Sequence, residues 1–156
     1  MIIRLGTVSE MCTLWQHPKS TSNFFINQLK SENAEFWTIE DNQRLLGELY
    51  LFKRLSDTDF ADGSYRAYLC SFRIVEELQG KGLGTKLINR VIDRLRELSF
   101  TEVTIGVEEV EKANMHLYQR LDFSETIKRC LIDPCDVDSN FQPLYCNEYL
   151  LLRKFL

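Results

Sequence analysis

Three of the chain's seven glycines fall within five residues, at Gly80, Gly82 and Gly84, with Lys81 among them. Because glycine has no Cβ, such a cluster allows left-handed backbone conformations and the close approach of a ligand. A strand-like segment, residues 65–75, precedes the cluster, and an amphipathic helical pattern follows it. Backbone N–H groups at the start of a helix are unpaired and carry partial positive charge. The spacing therefore predicts an anion-binding loop, and the alternative is a turn that only tightens packing.

Two common nucleotide-binding loops do not fit these residues. A Walker A loop has the pattern G-x-x-x-x-G-K-[ST], but here Thr85 comes before Lys86 rather than after a lysine. A dinucleotide fingerprint, G-x-G-x-x-G, needs its third glycine one residue later than Gly84. A nucleotide-binding protein is therefore the least favoured interpretation of the loop.

The segment Gln79-Gly80-Lys81-Gly82-Leu83-Gly84 resembles the Q/R-x-x-G-x-G/A motif of the GNAT superfamily of N-acetyltransferases. Further along, Leu117-Tyr118-Gln119-Arg120-Leu121-Asp122-Phe123 resembles the family's L-Y-x-x-L-G-F segment. The order of elements is similar as well, so the resemblance covers nearly the whole chain. The sequence departs from the family pattern at Asp122, where glycine is usual, and at Glu111, where asparagine is frequent. Asn114 follows Glu111 by about one helical turn.

The resemblance implies that acetyl-coenzyme A (acetyl-CoA) is the co-substrate and that an amine attacks its acetyl group directly. It implies that the pyrophosphate sits on the glycine-rich loop. The pantetheine arm then pairs with a strand that a β-bulge splays from its parallel neighbour, where one N–H polarises the thioester carbonyl. The cofactor-binding residues implied in this way are Phe72, Arg73, Ile74, Gln79, Gly80, Lys81, Gly82, Leu83, Gly84, Thr85 and Asn114.

The predicted catalytic residues are Tyr118 and Glu108. The resemblance makes Tyr118 the general acid, since a phenol with a pKa of about 10 can protonate a departing thiolate of similar basicity. The acceptor of the amine's proton stays open among Glu48, Glu108 and Glu109, of which Glu108 is the candidate retained. Cys70 permits a covalent acyl-cysteine, but a small core residue is the favoured interpretation.

Two acidic segments, residues 57–62 and 133–138, bear on the acceptor. If both line its binding site, they favour a cationic amine such as a polyamine, an aminoglycoside or a peptide amine. The alternative is that both are solubilising surface loops. The competing function is a non-catalytic acyl-CoA-binding sensor or interaction module of the same fold. The resemblance also implies a homodimer, with the late strands as contact elements.

The elements that must position these residues follow from periodicity and turn chemistry. The predicted helices are residues 7–14, 21–29, 85–98 and 111–121, and the predicted strands are 2–5, 35–39, 45–55, 65–75, 102–107, 124–131 and 145–154. A loop holding Pro134 and Pro143 separates the last two strands. This order predicts a mixed α/β (α+β) sheet, partly antiparallel and partly parallel. The resemblance implies a three-layer fold with a central six- to seven-stranded sheet and helices on both faces.

Composition limits the remaining possibilities. The 156 residues suit one domain, 1–156, and 44% hydrophobic with 27% charged residues exclude a disordered, collagen-like or membrane-bundle chain. A net charge of −4 gives no basic surface for nucleic acid. Five cysteines without a C-x-x-C pair, and two histidines, predict reduced thiols in a cytoplasmic protein rather than a metal site. The sequence shows no signal-peptide pattern and no apolar run of about 18 residues, so no membrane partner is expected.

Overall fold

The computed structural model describes residues 1–156, and one seven-stranded sheet runs through it. Its strands are β1 (Ile2–Leu5), β2 (Ala34–Asp41), β3 (Arg44–Phe52), β4 (Arg66–Ile74), β5 (Glu102–Val107), β6 (Glu125–Val137) and β7 (Pro143–Phe155). Its α-helices are α1 (Lys19–Lys30), α2 (Leu83–Glu97) and α3 (Lys112–Arg120), with short 3₁₀ turns at Val8–Glu10 and Glu76–Leu78. None of these helices combines the length and the apolar character that a bilayer crossing needs.

The sheet is mixed, and its one parallel pair lies near its middle. The strand order is β1-β2-β3-β4-β5-β7-β6. Strands β4 and β5 run parallel, and every other pair of neighbours is antiparallel. Helix α1 packs on one face of the sheet, and α2 and α3 pack on the other. The structure therefore confirms the mixed three-layer α/β fold, with seven strands and helices on both faces.

Helix α2 is held on the sheet by a continuous apolar stripe. Leu87, Ile88, Val91, Ile92 and Leu95 recur at helical spacing, and all five are fully buried against the sheet. Burying one such side chain contributes about 1.5–3 kcal/mol, so the stripe fixes the helix firmly. The glycine-rich loop leads directly into the first turn of this helix, so the packing of the helix also fixes the position of the loop relative to the sheet.

The opposite face has an aromatic core that holds α1. Phe25 of α1 meets Tyr50 edge-on with ring centroids 4.7 Å apart, and it meets Phe52 at 5.3 Å. Phe36 stacks on the other side of Tyr50 at 4.8 Å. Edge-on and offset ring pairs of this kind add to the free energy of simple burial. They fix α1, and the segment just before it, against the middle of the sheet.

The predicted helix over residues 7–14 is wrong, because only a 3₁₀ turn forms at Val8–Glu10. The Glu10 carboxylate caps the start of the turn by accepting the Thr7 N–H at 2.9 Å, but the Thr13 hydroxyl donates to the Glu10 carbonyl at 2.7 Å and so competes for a backbone acceptor that a longer helix would use. Cys12 then adopts a left-handed conformation with φ of 62°, which ends any helical continuation.

The predicted loop around Pro134 and Pro143 is also wrong. Strand β6 continues through Pro134 to Val137, and β7 begins at Pro143. Because β6 is the edge of the sheet, a proline there need not break a hydrogen bond to a neighbouring strand. The register shifts between Asp133 and Val137, which leaves room for the irregular stretch. The late strands are consequently longer than the sequence pattern suggests.

Candidate active site

The three clustered glycines serve two different purposes. Gly80 and Gly82 have φ of +74° and +83°, in the left-handed region, and a Cβ on either would meet no atom within 4 Å. A Cβ on Gly84 would instead lie 2.7 Å from Cζ of Phe72. The first two glycines therefore shape an open loop, and the third allows α2 to approach β4 closely.

The loop presents a run of unpaired backbone donors. The N–H of Gln79 donates to the Glu76 carbonyl, and the N–H of Lys86 donates to the Gly82 carbonyl. No hydrogen bond within the protein uses the N–H groups of the six residues between them, 80–85. Such groups at a helix start, with the exposed ammonium of Lys81 nearby, form a site of positive potential. Phosphate oxygens are acceptors without donors, so these residues fit a pyrophosphate.

Next to the loop, the two parallel strands separate. Strands β4 and β5 pair only from Arg66 with Glu102 to Leu69 with Ile105. Just beyond, Ser71 has φ of 52°, and the register between β3 and β4 shifts, which marks a β-bulge. After the bulge β4 still pairs with β3, but its other edge has no strand partner. The structure therefore contains an open strand edge of the kind that an extended ligand can pair with.

At the separated strand ends lies a cavity of about 360 Å³. Its walls come from β4, the end of β5, α3, β6, β7 and the segment before α1. Four carboxylates line it, those of Glu108, Glu111, Asp133 and Asp136, whereas Arg73 is its one cationic side chain. Burial raises the pKa of Asp133. The balance of charge favours a cationic guest.

Tyr118 lies in the wall of this cavity and is only 3% exposed. Its ring packs between Phe72 and Phe123, each with its centroid 6.1 Å away. Burial, with a smaller contribution from the Glu111 carboxylate, raises the pKa of Tyr118 well above its usual value. The phenol therefore stays protonated at neutral pH and can donate a hydrogen bond into the cavity.

The other residues predicted from the sequence lie in several places. Glu108 lines the cavity, and its N–H donates to the carboxylate of Glu111 at 3.0 Å. Asn114 is half-buried on α3 and does not line the cavity. Glu109 points away and pairs with Arg129. Cys70 lines the cavity as a half-buried free thiol, like the other four cysteines unbridged.

The segment 57–62 does not line the cavity, so half of the expectation for an acidic acceptor site is wrong. Asp57 and Asp59 both bind the ammonium of Lys128, at 2.7 Å and 3.0 Å. Asp62 accepts three backbone N–H groups of its own turn. These carboxylates therefore form local ion pairs and turn hydrogen bonds instead of lining the cavity. In the later segment, Asp133 and Asp136 do face the cavity.

Sequence reasoning missed His17, which the fold brings beside Glu48 and Arg73. Nε2 of His17 lies 3.9 Å from Oε1 of Glu48, and Nε of Arg73 lies 3.5 Å from the same oxygen. Burial raises the pKa of Glu48 to about 7, whereas burial and the guanidinium of Arg73 lower the pKa of His17. His17 stands in an irregular segment without periodicity, so nothing in the sequence pattern marked it.

Known proteins share this arrangement of elements. A model of the acetyltransferase (GNAT) family matches residues 5–123. The chain is 26% identical over 125 residues to the uncharacterized N-acetyltransferase YdgE of Bacillus subtilis (strain 168), which covers 80% of this chain and 76% of that protein.

Two solved structures are similar over almost the whole chain. An acetyltransferase of Bacillus subtilis in complex with CoA has a TM-score of 0.67 at 19% identity, covering 99% of this chain and 97% of that chain. A GNAT family acetyltransferase of Elizabethkingia anophelis with acetyl-CoA bound has a TM-score of 0.61 at 17% identity, with the same coverage. At these identities the likeness shows a common fold.

Proposed function

The chain belongs to the acetyltransferase (GNAT) family, and on that premise we propose that it moves an acetyl group to a primary amine of a small molecule or peptide by direct attack. It is an acyltransferase, and its acyl donor is acetyl-CoA. One observation carries the proposal: six unpaired N–H groups stand beside an open strand edge, and that edge borders the cavity that holds Tyr118. Phe72 joins the two parts, since it packs on Gly84 and also lines the cavity.

In this proposal the loop residues 80–85 bind the pyrophosphate through their N–H groups, and Lys81 adds charge. The edge of β4 at Phe72 and Arg73 pairs with the pantetheine arm. The carbonyl of Ile74 already accepts the side-chain amide of Gln79 at 3.0 Å, so Gln79 braces the turn, and the pairing falls mainly to the two residues before Ile74. Asn114 remains a candidate contact for the part of the cofactor that lies outside the cavity.

Tyr118 protonates or hydrogen-bonds the sulfur as it leaves. In a site without water, a thiolate leaves poorly unless a hydrogen-bond or proton donor stabilises its negative charge. The buried phenol of Tyr118 supplies such a donor. The sequence favours Glu108 as the acceptor of the amine's proton, and Glu108 also lines the cavity. The four carboxylates of the wall support a cationic amine as the acceptor.

The test is a thiol-release assay with acetyl-CoA and a panel of amines that includes polyamines, aminoglycosides and peptides. We expect turnover with at least one cationic amine and a weaker response with neutral ones. Asp136→Asn, in the cavity wall, is expected to raise the KM of that amine several-fold, whereas Asp57→Asn, outside it, is the matched control. Thermal stabilisation by acetyl-CoA with no turnover on any amine would instead support the sensor or interaction module.

The same proposal includes a homodimer in the cytoplasm. The late strands expose apolar side chains at the sheet edge, namely Leu131 and Ile132 on β6 and Leu144 and Tyr145 on β7. Covering such side chains with a second copy removes apolar area from water. The five free thiols suit a reducing compartment. Sedimentation at micromolar concentration checks the assembly, and a monomer mass contradicts it.

A further inference from the structure

Beside the cavity, His17 and Glu48 each have a buried polar atom without a hydrogen-bond partner, Nε2 and Oε1, and the hydroxyl of the neighbouring Tyr50 is a third such atom. The side chains of His17 and Glu48 are 7% and 3% exposed, and Nε2 and Oε1 face each other at 3.9 Å. Native proteins seldom leave buried polar atoms unpaired, and the exceptions are often tied to function. A contraction of about 1 Å would join the pair in a hydrogen bond.

The imidazole of His17 lies between the cavity and Glu48. His17 lines the cavity together with Tyr118, whereas Glu48 stands behind it on β3 and does not line the cavity. Nδ1 of His17 makes no hydrogen bond and, unlike Nε2, is not among the fully buried atoms. One ring nitrogen is therefore available on the cavity side, and the other faces the carboxylate.

We propose that His17 and Glu48 form the proton-accepting pair of the acetyl transfer, a role that rests on the proposed function. The substrate ammonium gives a proton to Nδ1 of His17 while Nε2 passes its own proton to Oε1 of Glu48. The neutral amine nitrogen then forms its bond to the acetyl carbon, and the carbon–sulfur bond breaks. The nitrogen's second proton replaces the one that Tyr118 gives to the sulfur. One proton is left on Glu48, and it returns to solvent through His17.

The charges around the pair suit this direction of transfer. With its pKa lowered, His17 is neutral at neutral pH and can relay a proton, and with a pKa of about 7 Glu48 can accept one. Arg73 is 38% exposed, so it stays solvated whether Glu48 is charged or neutral. The titratable and charged groups that face the pair are Arg73 on β4, Asp136 on β6 and Tyr50 on β3, and the thiols of Cys12 and Cys70 lie near Tyr50.

The kinetic test compares His17→Gln and Glu48→Gln with the unmodified protein, using the best amine of the panel between pH 6 and pH 9. We expect kcat to fall about 100-fold at pH 7 in both variants, with the Kd of acetyl-CoA by calorimetry unchanged within twofold. In the unmodified protein kcat/KM falls below about pH 7, and Glu48→Gln removes that limb of the profile. His116→Gln, on the exposed side of α3, is the matched control and keeps full activity.

A second measurement does not depend on turnover. The chain has two histidines, so NMR of histidine-labelled protein resolves His17 from His116. We expect the ring signals of His17 to shift near pH 7, as Glu48 titrates, and again at lower pH as the ring itself is protonated. Glu48→Gln is expected to abolish the first shift and keep the second. The ring signals of His116 serve as the reference, and Glu48→Gln is expected to leave them unchanged.

The outcomes separate this inference from the function on which it rests. If the unmodified protein acetylates no amine, the proposed function fails. If it is active but both variants stay within threefold across the pH range, the pair is not the proton acceptor. Loss of acetyl-CoA affinity in the variants, or an unchanged pH profile, assigns them a structural role and also overturns the proposal. Glu108→Gln completes the set: a 100-fold loss there, with both members of the pair dispensable, transfers the role to Glu108.

Discussion

At the scale of single residues, burial sets the protonation of the ionisable groups in and behind the cavity wall. Tyr118 has its pKa raised and keeps its proton, whereas Glu48 has its pKa raised into the neutral range. His17 has its pKa lowered and stays uncharged. The low dielectric of the sheet interior thus sets the protonation states that the proposed mechanism requires of these three groups.

Tyr118→Phe tests the donor. We expect kcat to fall about 100-fold while the Kd of acetyl-CoA stays constant, because in the proposed mechanism the hydroxyl acts on the departing sulfur and not on binding. Tyr149→Phe is the matched control: it removes a hydroxyl from the same cavity, but one that donates to the Ile132 carbonyl at 2.7 Å. That variant is expected to lose about 1 kcal/mol of stability and keep kcat within a few-fold. Equal effects of the two substitutions on kcat argue against a special role for Tyr118.

At the scale of elements, the site depends on how a helix start and a strand edge meet. Gly84 lets the first turn of α2 contact Phe72, and the bulge at Ser71 turns β4 away from β5. The packing of α2 on the sheet thereby fixes the glycine-rich loop relative to the open edge of β4. Neither feature needs a movement to form, so the site is organised before ligand arrives.

Gly82→Val tests whether CoA binding depends on the conformation of the glycine-rich loop rather than on the stability of the fold. A β-branched residue at φ of +83° is strained, and its side chain also projects into the open space of the loop. We expect CoA affinity, measured by calorimetry, to fall at least tenfold, with circular dichroism still that of a folded protein. Gly63→Val is the control, since Gly63 has φ of +85° in a turn away from the site. Both variants lose about 1–2 kcal/mol of stability, but only the first weakens binding. Unchanged CoA affinity in Gly82→Val would refute the phosphate-binding role of the loop.

The sequence predicts those elements that depend on local signals. The glycine spacing and the apolar period of α2 are local, and the loop and the helix both form where they were expected. The extent of β6 and β7 depends instead on β6 being an edge strand, which is a property of the whole sheet. The pairing of His17 with Glu48 joins residues from distant parts of the chain, so no local pattern encodes it.

At the scale of the whole molecule, the sheet separates two cores of different character. The face under α2 and α3 is mainly aliphatic, and the face under α1 is rich in aromatic rings. Glu48 is buried between the strands and the segment before α1, in the middle of this body. An ionisable group in such a place couples its titration to the stability of the whole fold.

The free energy of unfolding is therefore expected to depend on pH through Glu48. Its pKa is about 7 in the folded protein against an ordinary value of 4.5, so the folded state holds the proton more tightly. Stability from this group is present at acidic pH and is lost as the pH rises through 7. Relative to the unmodified protein, Glu48→Gln is expected to gain roughly 2–3 kcal/mol of stability between about pH 5 and pH 8. Urea unfolding at both pH values measures the difference, and parallel pH dependence in the two proteins contradicts it.

The gap between β4 and β5 also affects the stability of the folded protein. Without its ligand, the chain has an incomplete sheet, with backbone groups of β4 facing no strand. A ligand that pairs there acts as a missing strand and stabilises the folded state by mass action, by about 2.7 kcal/mol at one hundred times its Kd. Amide hydrogens from Phe72 to Ile74 should then exchange more slowly with solvent deuterium. Resistance to proteolysis is therefore expected to rise with the concentration of acetyl-CoA.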